Sequence, residues 1–517
     1  MLKGSVGQLV IASLAGAALP AAAHASSAQA TPPNVATPAN ETAVKQEMVQ
    51  TAGRIVRGGK ALSRIWPGYW PKDQAFIFHA AGEGALLISP GPRPAGFEPL
   101  PAGDLPPELR GRAFYRPGTM EEADRPFIFD FPIGNGKTAI LVDYTSRGGA
   151  PIEGTAITGT MVALHEQFHA YQNTAFKGET AGQFVDPLAV KDRVAFAAAA
   201  ETEQRVLGAA IKARSAAERK KLLQQYFALR QEREATIPAE VRQVEQGYER
   251  SEGTAKYVDR VAHAHLFGGG AAAVPELIVK ELEQNLMRGG AFGNVWFGGR
   301  AYSTGAALSY LLSLYDPLWR RKVEQGAYLD ELLKDAVGMP AEAGALARSA
   351  RETFGYEARR GRLEAPIREA EKKEIKSVDE FLALGAYAVT LDIENPKDGP
   401  SALKRGFSAR NMTDLSPTVL ALPTAFTYHL TAPRAALVVK ERPVLMETKA
   451  TRAETTVLLP SPPEAEGLGE LSVGEHRLER LKLSGPGYEL KVDRPVVVTV
   501  GPKSMHIEVK DDAAPVT

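Results

Sequence analysis

The chain has 517 residues, 44% of them hydrophobic and 24% charged, an ordinary globular composition too long for one core, so two or three domains are expected. Lys plus Arg and Asp plus Glu each total 61, and without a basic stripe carrying interleaved aromatics this balance gives no reason to expect nucleic acid as a partner. Cysteine is absent, which excludes disulfides, thiolate catalysis, Cys-type zinc sites and a lipoprotein anchor.

In chain order, Lys3, the apolar small-residue run Leu9 to Ala23 and the A-x-A site Ala23-His24-Ala25 read as a secretory signal peptide over 1–25. The run is short and Ala-rich for a membrane span, although an uncleaved anchor is the competing reading. No later stretch approaches transmembrane length, so an exported protein, periplasmic or secreted, with no stable membrane insertion is expected. Residues 26–44 are rich in Ala, Pro, Ser and Thr and read as a disordered leader.

Residues 45–150 read as a mixed α+β subdomain. Ala75 to His79 pairs with Ala85 to Ser89 around Gly82 and Gly84, and Phe127 to Phe131 pairs with Thr138 to Tyr144 through Gly134-Asn135-Gly136. A Gly/Pro segment, Gly148 to Pro151, leads into a helical region over 151–375. Within it Ser215-Ala216-Ala217-Glu218 is a capping box, and a single helix is expected from Ala239 to Phe267. Residues 376–517 alternate in short runs between Pro/Gly turns, the pattern of a β-sandwich-like module. The fold class is therefore α+β.

The chemistry concentrates at His165-Glu166-Gln167-Phe168-His169, an H-E-x-x-H motif in a stretch whose Met161, Val162, Leu164, Phe168 and Tyr171 predict a helix. At that spacing both imidazoles lie on one face, able to bind one tetrahedral Zn2+ with room for a third ligand and a water. Glu166 can then serve as general base toward that water. A surface helix with two solvated histidines is the bland alternative.

Two glutamates compete as third ligand. Glu203 lies on the apolar stripe of Phe196, Ala199, Ala200, Val206, Leu207 and Ala210, where a lone carboxylate is costly and needs a metal or a base such as Arg193 or Arg205. Glu252 lies in Glu252-Gly253-Thr254-Ala255-Lys256-Tyr257, where small residues allow close approach of helices. His263 and His265, some 16–20 Å farther along the same expected helix, cannot share a metal with Glu252.

The Glu252 segment resembles the Glu-Gly-x-Ala-x-Tyr third-ligand motif of gluzincin metallopeptidases of the aminopeptidase N type. Tyr302-Ser303-Thr304-Gly305-Ala306 resembles that family's Tyr-x-x-Gly-Ala segment. The resemblance, over roughly residues 135 to 315, implies a mainly helical, thermolysin-like zincin catalytic domain, with Glu252 binding zinc and Tyr302 hydrogen-bonding the tetrahedral oxyanion. The long stretch between His169 and Glu252 implies an inserted helical hairpin. Gly118-Thr119-Met120-Glu121-Glu122 only approximates the family's amine-anchoring segment, so aminopeptidase specificity does not carry over.

The expected function is an exported zinc metallopeptidase acting on a peptide or protein substrate, with His165, His169 and Glu252 (alternatively Glu203) as ligands and Glu166 and Tyr302 as catalytic groups. Thr138 to Tyr144 is the expected edge strand for an extended peptide. Arg300 is a candidate partner for a substrate carboxylate, against the plainer reading of a loop arginine. A non-catalytic zinc-site protein on the same scaffold and an envelope structural or adaptor protein with a fortuitous motif are the competing classes.

Overall fold

The computed structural model describes residues 38–509 apart from 71–73, 81, 121–126, 144–154, 179–189, 285, 287–293, 341, 395–402, 411, 417, 433, 450–451 and 467–471. The expected signal peptide over 1–25, the first part of the expected leader and the linker Gly148 to Pro151 lie outside the described residues. Helix α1 (Pro38–Ile65) begins inside the expected leader, so residues 38–44 are helical. The fold is α+β, and among the described residues no helix is long and apolar enough to cross a membrane.

Strands β1 (Ala75–Ala80), β2 (Gly84–Ile88), β3 (Glu98–Pro99), β4 (Ala113–Pro117), β5 (Phe127–Gly134) and β6 (Lys137–Asp143) form a sheet in the order β3-β4-β2-β1-β6-β5. The β1–β2 and β5–β6 hairpins are joined by parallel pairing of β1 with β6. Alternation assigns each face its core: Phe76, Phe78, Leu86, Ile88, Ile140 and Val142 pack toward the helices, while Ile77, Leu87 and Leu141 pack with Phe97, Met120 and Phe131 on the reverse. Because β6 lies between β1 and β5, its backbone groups are already paired on both sides. The outer strand is β5, not the expected Thr138 to Tyr144, and its Pro132 suits an edge, where a missing N–H is tolerated.

Helix α1 lays Met48, Ala52, Ile55, Leu62 and Ile65, spaced by three, four or seven residues, onto this core. The helical region contains α2 (Thr155–Ala175), α3 (Arg193–Lys212), α4 (Ala216–Glu234), α5 (Ala239–Tyr248), α6 (Thr254–Phe267), α7 (Gly270–Gln284) and α8 (Asn294–Tyr315), followed by further helices from Trp319 to Leu382. Ser215 caps α4 as its sequence requires: its hydroxyl accepts from the Glu218 N–H at 3.1 Å, and Glu218 reaches back to the Arg214 N–H at 3.0 Å. The described strands from Tyr387 to Val509 form one twelve-stranded, hydrogen-bonded sheet around its own apolar core.

Candidate metal centre

The rotation of α2 is set by packing. Leu164 and Phe168 are fully buried; Phe168 meets Trp66 and Tyr69 edge-on at 5.0 and 5.2 Å, and the Tyr69 hydroxyl donates to the Leu164 carbonyl at 3.0 Å. Burying such side chains contributes about 1.5–3 kcal/mol each. His165 and His169 each follow one of these anchors by one residue, so they project on the adjacent stripe, one turn apart.

Glu252 arrives from a second element. The single helix expected from Ala239 to Phe267 is instead α5, a π turn over Glu249–Gly253 and α6. The wider turn carries Glu252, and π turns recur at functional sites because they re-aim a side chain without ending the helix. Gly253 in that turn abuts Gly305 of α8, where a Cβ on Gly253 would lie 2.4 Å from the Gly305 Cα. Only glycine at both positions permits this approach.

His165 Nε2, His169 Nε2 and Glu252 Oε2 form a small triangle: 3.1 Å between the histidines, 3.0 Å from His169 to Glu252 and 3.3 Å from His165 to Glu252. A tetrahedral ion with bonds near 2.0–2.1 Å separates its ligand atoms by about 3.3–3.4 Å. The donor set fits: this buried group can hold a metal ion, as two imidazole nitrogens and one carboxylate oxygen. Of the two rival glutamates, the structure brings Glu252 to the histidines and leaves Glu203 elsewhere.

Both histidines are also engaged through Nδ1. The Asp259 carboxylate stands 3.4 Å from His165 Nδ1, an ion-pair contact rather than a tight hydrogen bond, and Gln172 Oε1 stands 2.6 Å from His169 Nδ1. Such partners orient a ligating ring and fix which nitrogen faces the metal. Asp259 is itself bound by Lys256 at 3.3 Å and Arg260 at 3.2 Å, and both cations reach Glu281 of α7. Burial pushes the Asp259 carboxyl up, but Arg260, Lys256 and His165 hold it down at about 2. Burial likewise disfavours a charged His169, yet Glu252 outweighs it and raises the ring to about 9, while Glu252 itself is held well below the ordinary carboxylate range. Sequence reasoning missed both Nδ1 partners, although Gln172 lies three residues past His169 and Asp259 seven past Glu252, each on the helix face of that residue.

Glu166 is partly exposed, and burial pushes its carboxyl up, only partly offset by His165 and His169. The Tyr302 ring stacks on His165 with centroids 5.5 Å apart and planes 9° apart. That contact places α8 directly against the histidine pair.

Glu203 is fully buried and holds Arg233 in a two-pronged ion pair, Oε1 to Nε at 2.6 Å and Oε2 to an η nitrogen at 2.9 Å. Its base is therefore Arg233 rather than the expected Arg193, which pairs with Glu374 at 2.8 Å, or Arg205, which is exposed. Arg300 is likewise not a substrate-facing loop residue: it lies within α8, fully buried, paired with Glu245, which also binds Arg233 at 2.9 Å. Arg230 grips Glu249 through two 2.9 Å hydrogen bonds, and the Thr304 hydroxyl donates to Glu249 at 2.7 Å. This buried network braces the π turn against α8 two residues from Tyr302. His265 is exposed, and His263 packs on Phe267 with centroids 5.3 Å apart, so neither joins the site. Met120 plugs the reverse face of the sheet and its N–H donates to His79 Nε2 at 3.1 Å, while Glu121 and Glu122 lie outside the described residues.

Comparison with protein-family models, curated proteins and solved structures found no match to this chain.

Proposed function

We propose that this protein is an exported zinc-dependent metallopeptidase with a gluzincin-type site, His165, His169 and Glu252 holding Zn2+. The observation that carries this reading is the convergence of those three donor atoms within 3.3 Å of one another, with Glu166 beside them. Two imidazoles and a carboxylate are the ligand set typical of catalytic zinc sites that keep a position open. When bound, the ion supplies Lewis acidity toward a substrate carbonyl and lowers the pKa of water at the site.

The chain's own groups then have definite tasks. Glu166, not a ligand, takes a proton from the attacking water and returns it to the leaving amine. A carboxyl raised by burial suits a group that must both accept and release a proton near neutral pH. Tyr302, with its ring against His165, donates its hydroxyl to the oxyanion that develops on the substrate carbonyl. An extended peptide pairs with the outer strand β5. In this reading the helical region is a thermolysin-like zincin domain, and the C-terminal strands form a β-sandwich-like module for substrate or envelope. Zinc analysis of the purified protein together with cleavage of a denatured protein substrate tests it: zinc without cleavage in a properly folded preparation leaves a non-catalytic metal site, and neither leaves a fortuitous motif.

A further inference from the structure

Gln172 spans the two segments that carry His165, His169 and Glu252, and its hydrogen bonds are directional enough to fix its orientation. The side chain is buried, 1% exposed, one turn beyond His169 on α2. Its Nε2 lies 2.8 Å from the Ser251 carbonyl oxygen and 2.8 Å from Thr254 Oγ1. A carbonyl can only accept. The single Thr254 hydroxyl proton is directed to the Arg250 carbonyl at 2.6 Å or the Ser251 carbonyl at 3.2 Å, so toward Gln172 this oxygen too presents lone pairs. Two acceptors require the amide NH2 to face them, which turns Oε1 toward His169 Nδ1 at 2.6 Å. An acceptor there requires Nδ1 to carry hydrogen. In the neutral ring the lone pair then sits on Nε2, the atom 3.0 Å from Glu252 Oε2 and 3.1 Å from His165 Nε2.

We propose that Gln172 is a positioning residue that commits His169 to coordinate through Nε2 and ties α2 to the π turn that carries Glu252, so that two ligands distant in sequence are held ready for the ion by one side chain. This inference rests on the metal-site reading above. The Ser251 carbonyl belongs to the residue immediately before Glu252, so the same amide that selects the His169 tautomer also sets the distance between the two ligand segments. The choice of a neutral amide here, against the Asp259 carboxylate on His165, gives His169 an acceptor without adding a charge.

The test is Zn2+ affinity of the full chain, measured by competition with a chromophoric chelator, for wild type, Gln172→Met and Gln172→Glu. Loss of such an orienting partner typically weakens metal binding about 10–100-fold. Gln172→Met keeps size and removes both hydrogen-bonding ends, and is expected to lose that 10–100-fold. Gln172→Glu keeps an acceptor for Nδ1 but cannot donate to the Ser251 carbonyl, so it retains the tautomer and loses the tie to the π turn, and is expected to bind between wild type and Gln172→Met. A packing role predicts the reverse order, because methionine is tolerated in a core and a buried carboxylate is not. Met within threefold of wild type, or Glu weaker than Met, overturns the proposal. If Gln172→Met fails to fold, Gln172→Glu alone decides: a measurable loss of less than 100-fold supports it, and no loss or a loss beyond 100-fold overturns it. A wild-type protein that binds no Zn2+ overturns the metal site itself, whereas wild-type binding with an unaffected Gln172→Met overturns only the role of Gln172.

Discussion

Gly253 and Gly305 meet backbone to backbone: a Cβ on Gly305 would lie 2.4 Å from the Glu249 carbonyl oxygen and 2.6 Å from the Gly253 Cα. Glycine inside a helix costs about 1 kcal/mol relative to alanine. Here the absent side chain lets α8 close on the π turn, which puts Tyr302, one turn before Gly305, on the His165 ring. Gly305→Ala removes that helix penalty but forces backbone apart, so a net destabilisation of about 1–3 kcal/mol is expected, with weaker zinc binding as Glu252 is displaced. Chemical denaturation and zinc titration check this; a variant as stable as wild type would show that the crossing does not depend on contact at this point.

Glu203 and Glu252 are both helical glutamates, and their substitutions should separate cleanly. Glu252→Gln removes the proposed carboxylate ligand and should abolish stoichiometric zinc, while in the metal-free chain it also deletes the partner of His169. Glu203→Gln should keep zinc and lose stability, because it leaves part of a buried ion-pair network with Arg233 uncompensated, typically about 3–5 kcal/mol. Zinc lost from the Glu203 variant and retained by the Glu252 variant would reverse the assignment.

Tyr302→Phe keeps the ring that stacks on His165 and deletes the hydroxyl. If that hydroxyl stabilises the oxyanion, kcat falls by roughly 100–1,000-fold, with zinc content and Tm unchanged. Full activity would make Tyr302 a packing residue of α8.

Local features were readable from the sequence where a short-range pattern dictates them. The Ser215–Glu218 cap, the β1–β2 and β5–β6 hairpins and the helical face shared by His165 and His169 all follow from spacing and turn residues. Features set by tertiary context were not. The parallel β1–β6 pairing, which made β5 the outer strand, joins segments separated by intervening strands, and no local pattern reports it. The π turn at Glu249–Gly253 has no periodic signature and lies where Gly253 meets Gly305. Glu203 was recognisable as a buried carboxylate needing a base, but which arginine answers it depends on the packing of α3 against α4, and that selected Arg233 over Arg193 and Arg205.

The most direct test of the central claim is hydrolysis of a denatured protein substrate by wild type and Glu166→Gln at matched zinc content. In the proposed site Glu166 follows a ligand and is not one itself, so the substitution should leave about one zinc per chain in place. Losing a general acid–base group typically reduces turnover about 100–10,000-fold, and a fall of that size is the predicted result. Near-wild-type hydrolysis by Glu166→Gln with its zinc retained would contradict the account.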